Sequence, residues 1–178
     1  MTRLRLLAVP FLIAPLVAGC GNAITTDIVG MAAVSVDADG TPVLLVRACT
    51  DQVDTIDVVG SRAGLEQDQP NPRLASWTTR RPRAGTVALP VDLPPSGWSP
   101  DPTAGPMGSP AAFALTFAPD RQYIVLGLSS GADAEVTQVD FRGRDLRALD
   151  PAHVLVRHAR TWTRERFDRH ACDGLGRG

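Results

Sequence analysis

From Met31 onward the chain is punctuated as a series of short strands separated by turn residues. Ala33-Val34-Ser35-Val36-Asp37 alternates, and Asp39-Gly40 supplies a tight hairpin turn. An apolar run from Pro42 to Cys49 follows, then Val53 to Val59, which Gly60 ends. Residues 61 to 73 are polar and carry two prolines, which predicts a loop. Leu74 to Thr79 and Gly85 to Val91 are further strands, separated by Arg80-Arg81-Pro82-Arg83. Ala112 to Phe117, Gln122 to Ser129 and Glu135 to Phe141 continue the pattern. Many short strands at this spacing predict an all-β fold, an antiparallel β-sandwich of immunoglobulin-like or related type.

Two stretches depart from the strand pattern. Pro90 to Pro110 holds seven prolines. Each lacks an N–H, so no central strand passes through, and the stretch is predicted to be a surface loop within one domain. Near the C-terminus, Asp145 to Pro151 suggests a helical turn and His153 to Arg157 a last strand. Thr163 is placed to cap a helix over Arg164 to Cys172, with Glu165 favourable in its first turn. Trp162 and Phe167 have hydrophobic-staple spacing, and Gly174 is placed to stop the helix.

The first twenty residues follow a different grammar. Arg3 and Arg5 precede an apolar stretch from Leu6 to Ala18, too short to span about 30 Å of hydrocarbon as a helix. The ending Leu16-Val17-Ala18-Gly19-Cys20 resembles the lipobox of bacterial lipoproteins. That resemblance covers residues 1 to 20. It implies removal of residues 1 to 19 as a signal peptide, lipid attachment at Cys20 and display on the outer face of the cell membrane. Two acyl chains hold such a protein stably where one is marginal. Residues 20 to 30 then form a lipidated N-terminus and a tether of about ten residues, reaching ~33 to 36 Å when extended. Residues 31 to 174 form the single domain and 175 to 178 a tail.

With Cys20 committed to lipid, Cys49 and Cys172 remain as an even pair in an oxidising compartment. A disulfide between them is expected, tying the terminal helix to the strand that ends at Cys49. No CxxC motif or metal-ligand cysteine spacing competes with that reading. All 18 basic residues are arginine, and the bias towards Ala, Gly, Pro and Val looks like a GC-rich genome of the actinobacterial kind. Removing residues 1 to 19 takes Arg3 and Arg5 and moves the formal charge from −1 to −3. Nucleic acid is therefore not an expected partner.

Candidate chemistry is sparse. A Walker loop, a dinucleotide-type GxGxxG, HExxH and the deaminase zinc signature are not in the sequence. His153, His158 and His170 are the three histidines, and their spacing suits solvated positions better than a metal site; no cofactor or metal is expected. Asp37-Ala38-Asp39-Gly40 shares its opening with a calcium loop but lacks the acidic ligand at position 12, which is Ala48. Trp98, amid prolines and glycines, is the one candidate ligand contact, with a loop anchored back onto the sheet as the rival account. The stretch from Arg157 to Gly178 carries six arginines against three acids, a surface for anionic headgroups or a helix face with local ion pairs.

These residues point to a membrane-anchored envelope protein whose domain binds or interacts rather than catalyses. Its expected partners are membrane lipid through Cys20 and an envelope protein or small ligand. A structural protein without ligand and a hydrolase using scattered carboxylates are the alternatives. The layout is also loosely similar to small secreted actinobacterial lipoproteins without assigned activity.

Overall fold

The computed structural model describes residues 26–105, 115–173 and 175. The signal-peptide and lipidation readings at residues 1–20, the expected strand residues 112–114 and the helix stop at Gly174 lie outside them. Among the described residues the chain forms nine strands and two short helices. They are β1 (Asp27–Val36), β2 (Pro42–Gly60), β3 (Arg73–Pro90), β4 (Trp98–Pro100) and β5 (Gln122–Ser129). After these come β6 (Ala134–Thr137), β7 (Val139–Arg142), α1 (Gly143–Arg147), β8 (His153–Val156), β9 (Arg160–Thr163) and α2 (Arg164–His170).

Hydrogen bonds join all nine strands into one sheet, in the order β4-β3-β2-β5-β6-β1-β8-β9, with β7 on β5 and a second pairing of β2 with β1. The long strands β2 and β3 fold the sheet over. Pro42 to Ala48 of β2 pairs with β1, whereas Thr55 to Gly60 pairs with β5, so one strand serves two arms. β3 follows it throughout. Each of these strands was expected as two: Val53–Val59 continues the run from Pro42, and Arg80–Arg83 continues rather than interrupts β3. Conversely, Glu135–Phe141 divides into β6 and β7.

The N-terminal end of β1 defines one end of the molecule, here called the base. Ile28 pairs with Glu135, which pairs with Leu128, then Thr55, then Thr78, across five strands. Gly30 pairs with Ala48 and Ala48 with Gly85, in the other arm. The fold-over segments, residues 49–54 and 79–84, connect these two rows and so lie at the base. At the base β1 and β5 run in opposite directions, so β6 between them is antiparallel to β5 and parallel to β1. It is the one parallel pairing in a sheet expected to be wholly antiparallel.

The main core fills the space between the arms. Ala32, Val34 and Val36 of β1 meet Leu44 and Val46 of β2 there, with Ile56, Val58, Trp77, Leu89, Tyr123 and Val125. Phe117, Tyr123 and Phe141 pack as an aromatic group with centroids 4.8 to 5.7 Å apart. Leu115 to Phe117, expected to end a strand, is irregular backbone that still delivers Phe117 to this core. The opposite face of β1 and β2 is also covered. Ala33, Val43 and Leu45 pack with Val154, Val156, Phe167 and Ala171 beneath α2. Burial on both faces explains why Pro42 to Ala48 is apolar without alternation.

α2 starts and is capped as its sequence predicts but ends at His170, two residues before the expected Cys172. The Thr163 hydroxyl accepts the Arg166 N–H at 3.1 Å, and Phe167 is fully buried. Cys172 is bonded to Cys49, with Cα atoms 5.6 Å apart and 123 positions of sequence between them. The bond fastens the end of α2 to the start of the β2 fold-over. The N-terminal boundary differs from expectation: residues 27–30, assigned to the tether, belong to β1, because they pair with β6 and β2.

Candidate functional site

A recess lies at the base, where β3 turns the corner. Pairing is regular as far as Ala48 with Gly85, resumes at Val53 with Arg83, and resumes again at Thr55 with Thr78. Extra residues therefore bulge first from β2 and then from β3, which bends both strands. Pro82 contributes no N–H to the ladder, and Gly85 sits at φ +78°, a conformation that disfavours other residues. Beside this corner β4 pairs with Thr78 and Thr79, delivered by a turn in which the Trp98 N–H reaches the Pro95 carbonyl at 3.1 Å.

The result is an open recess of about 640 Å³ lined by Arg80, Arg81, Arg83, Thr78, Thr79, Ser96, Gly97 and Ser99. Its chemistry is all of one kind: three guanidinium groups and four hydroxyls, with no carboxylate in the wall. All three arginines are exposed, and none of their side chains has an ion-pair or hydrogen-bond partner among the described residues. Guanidinium presents donors in a planar fork suited to oxyanions, so the recess can hold a phosphate, sulfate or carboxylate group. It contains no nucleophile–base pair. Sequence reading treated Arg80–Arg83 only as a break between strands; its density of arginine was the available signal.

Trp98 lies beside this recess but is not part of its surface. It is 7 % exposed and belongs to the main core with Trp77 and Val91. Its proposed role as a ligand contact is corrected: the residue anchors the proline-rich loop, because β4 turns the indole inward as it pairs with Thr79.

The C-terminal arginines are more engaged. Arg160 and Arg166 stand 5.8 and 4.7 Å from the centroid of Trp162. Arg169 pairs with Glu165 at 3.3 Å, and Arg164 donates to the Ser35 hydroxyl at 3.1 Å. His153 bonds Asp150 and His170 bonds Asp173, each at 2.8 Å. His158 stands in the β8–β9 turn at φ +62°. Among the described residues no group of His, Cys, Asp and Glu is arranged to hold a metal ion. Asp37, at the calcium-like loop, uses its carboxylate to accept the N–H groups of Asp39 and Thr41, which fixes the hairpin turn.

A second recess of about 450 Å³ beside α1 contains Asp145, Asp150 and His153. Both carboxylates are committed locally. Asp145 accepts the Arg142 N–H at 2.7 Å, and Asp150 accepts the Ala152 N–H at 2.8 Å besides His153. Those bonds hold the Asp150 carboxyl below its ordinary pKa, the His153 ring contributing most. One pattern escaped the sequence reading: Gly127-Leu128-Ser129-Ser130-Gly131 has the GxSxG spelling of a hydrolase nucleophile elbow. It spans the last three residues of β5 and the start of the β5–β6 turn, a strand–turn–strand context instead of strand–turn–helix. There Ser129 is buried and Ser130 bonds Asp54.

No family model, curated protein or solved structure matches this chain.

Proposed function

We propose that the chain is an exported lipoprotein, cleaved before Cys20 and anchored by lipid on it. Its folded domain serves as a non-enzymatic binding module at the cell envelope. The lipobox-like Leu16 to Cys20 supports the anchor. The Cys49–Cys172 bond is the observation that carries the export reading, since such bonds persist in oxidising compartments. The arginine recess supports the binding reading, as a donor-lined concavity on a rigid strand corner. We read the fold more finely as a sandwich of immunoglobulin-like or related type, supported by two arms that enclose a common core.

The test is Cys20→Ser in the full chain, with the membrane fraction and intact mass as readouts. The natural chain is expected in membranes at the mass of residues 20–178 plus a diacylglyceryl group, less the hydrogens lost in the disulfide. The variant is expected to remain an unlipidated precursor. Normal maturation and membrane partition of the serine variant would overturn the anchor.

A further inference from the structure

We propose that the arginine corner at the base, Arg80, Arg81 and Arg83, docks on the phosphate headgroups of an anionic bilayer. This rests on the lipid-anchor reading, because the anchor brings bilayer and corner together. Pairing places the corner at the base: Arg83 lies opposite Val53, and Gly85, Ala48 and Gly30 form one row near the start of β1. The chain leaves the fold at Asp27, so only residues 21–26 separate Cys20 from the first strand. Six residues span at most about 22 Å. Docking is therefore an intramolecular event at high effective concentration, and three guanidiniums suffice.

The base is not uniformly basic. Asp27, Asp133 and Glu135 lie along its β1–β6–β5 row, and Asp51 and Asp54 lie in the β2 fold-over that pairs with the arginine segment; Asp54 is bonded to Ser130 and Asp51 to the Gln52 N–H. The part of the base that meets phosphate is the β3–β4 corner, whose recess has three arginines and no carboxylate in its wall. Ile28, 42 % exposed on β1, adds an apolar contact at the same end.

The test is phenylglyoxal footprinting of the full chain, recovered from membranes and reconstituted into neutral phosphatidylcholine vesicles or vesicles containing phosphatidylglycerol. Arg80, Arg81 and Arg83 are expected to react about fivefold more slowly on the anionic vesicles than on the neutral ones. Arg142, at the opposite end of β5's pairing with β7, is expected to react equally on both. Equal reactivity of the three arginines on both vesicle types would overturn the docking. So would equal protection by neutral vesicles with millimolar inorganic phosphate added, which would mark a soluble-anion site. Flotation with neutral vesicles is scored separately: its loss refutes the anchor, whereas flotation without protection refutes docking alone.

Discussion

Asp57 is a residue whose place follows from neighbours distant in sequence. It is 3 % exposed in the second half of β2, and its carboxylate meets Arg73 at 3.2 Å; Arg73 also reaches Asp101 at 3.8 Å. Arg73→Ala leaves a buried carboxylate without its cation. Because Arg73 is half in water, the expected loss is about 2 kcal/mol, below the 3–5 typical of breaking a fully buried pair. A urea titration reads it, and an unchanged midpoint would show that Asp57 is neutralised by other means. Asp101 titrates low. The N–H and hydroxyl of Thr103 hold its carboxyl below the ordinary 3.8, with Arg73 adding to the effect. Asp150 is lowered by His153 and the Ala152 N–H. A carboxyl whose pKa is depressed by folding stabilises the fold fully above its unfolded value, and that contribution fades as pH falls through the folded one. Stability is thus expected to fall below about pH 3.8, and an Asp101→Asn, Asp150→Asn double variant to show a shallower fall in the urea midpoint over that range.

Among the elements, α2 shows the most direct passage from sequence to structure. Its cap, its staple pair and its cysteine were all legible, since capping and the i, i+4 relation act within a few residues. The disulfide closes a loop of 123 positions, for which chain entropy gives at most about 5 kcal/mol. The helix covers only the small core around Phe167, so a Cys49→Ser, Cys172→Ser variant is expected to free α2 first. Hydrogen exchange would then rise in Arg164–His170 while β2 and β5 stay protected; uniform loss of protection would show that the bond holds the whole sheet. The strands were legible as short apolar stretches between turn residues, but their lengths were not. Arg80–Arg83 has the composition of a loop, and only a bulged ladder with β2 keeps it within β3. β4 escaped prediction because it lies within the proline-rich stretch read as a loop, and β9 because Arg160–Thr163 is mostly polar.

For the whole molecule, folding back of β2 and β3 decides which end carries which chemistry. One continuous sheet joins both arms, and its fold-over gathers the start of β1, the disulfide and the unpaired arginines at one base. Both the serine test at Cys20 and the arginine footprint address that arrangement: the first asks what holds the chain, the second which side faces what holds it. Sequence by itself determined the strand-rich class, the capped terminal helix and the cysteine pair, because these depend on local periodicity, short-range hydrogen bonds and simple parity. Tertiary structure decided that Trp98 is core, that Arg80, Arg81 and Arg83 line a common recess, and that GxSxG runs into a hairpin turn. Each of these depends on which strand lies beside which, Trp98 beside Thr79, Arg83 beside Val53 and Leu128 beside Glu135, and local periodicity does not record such neighbours.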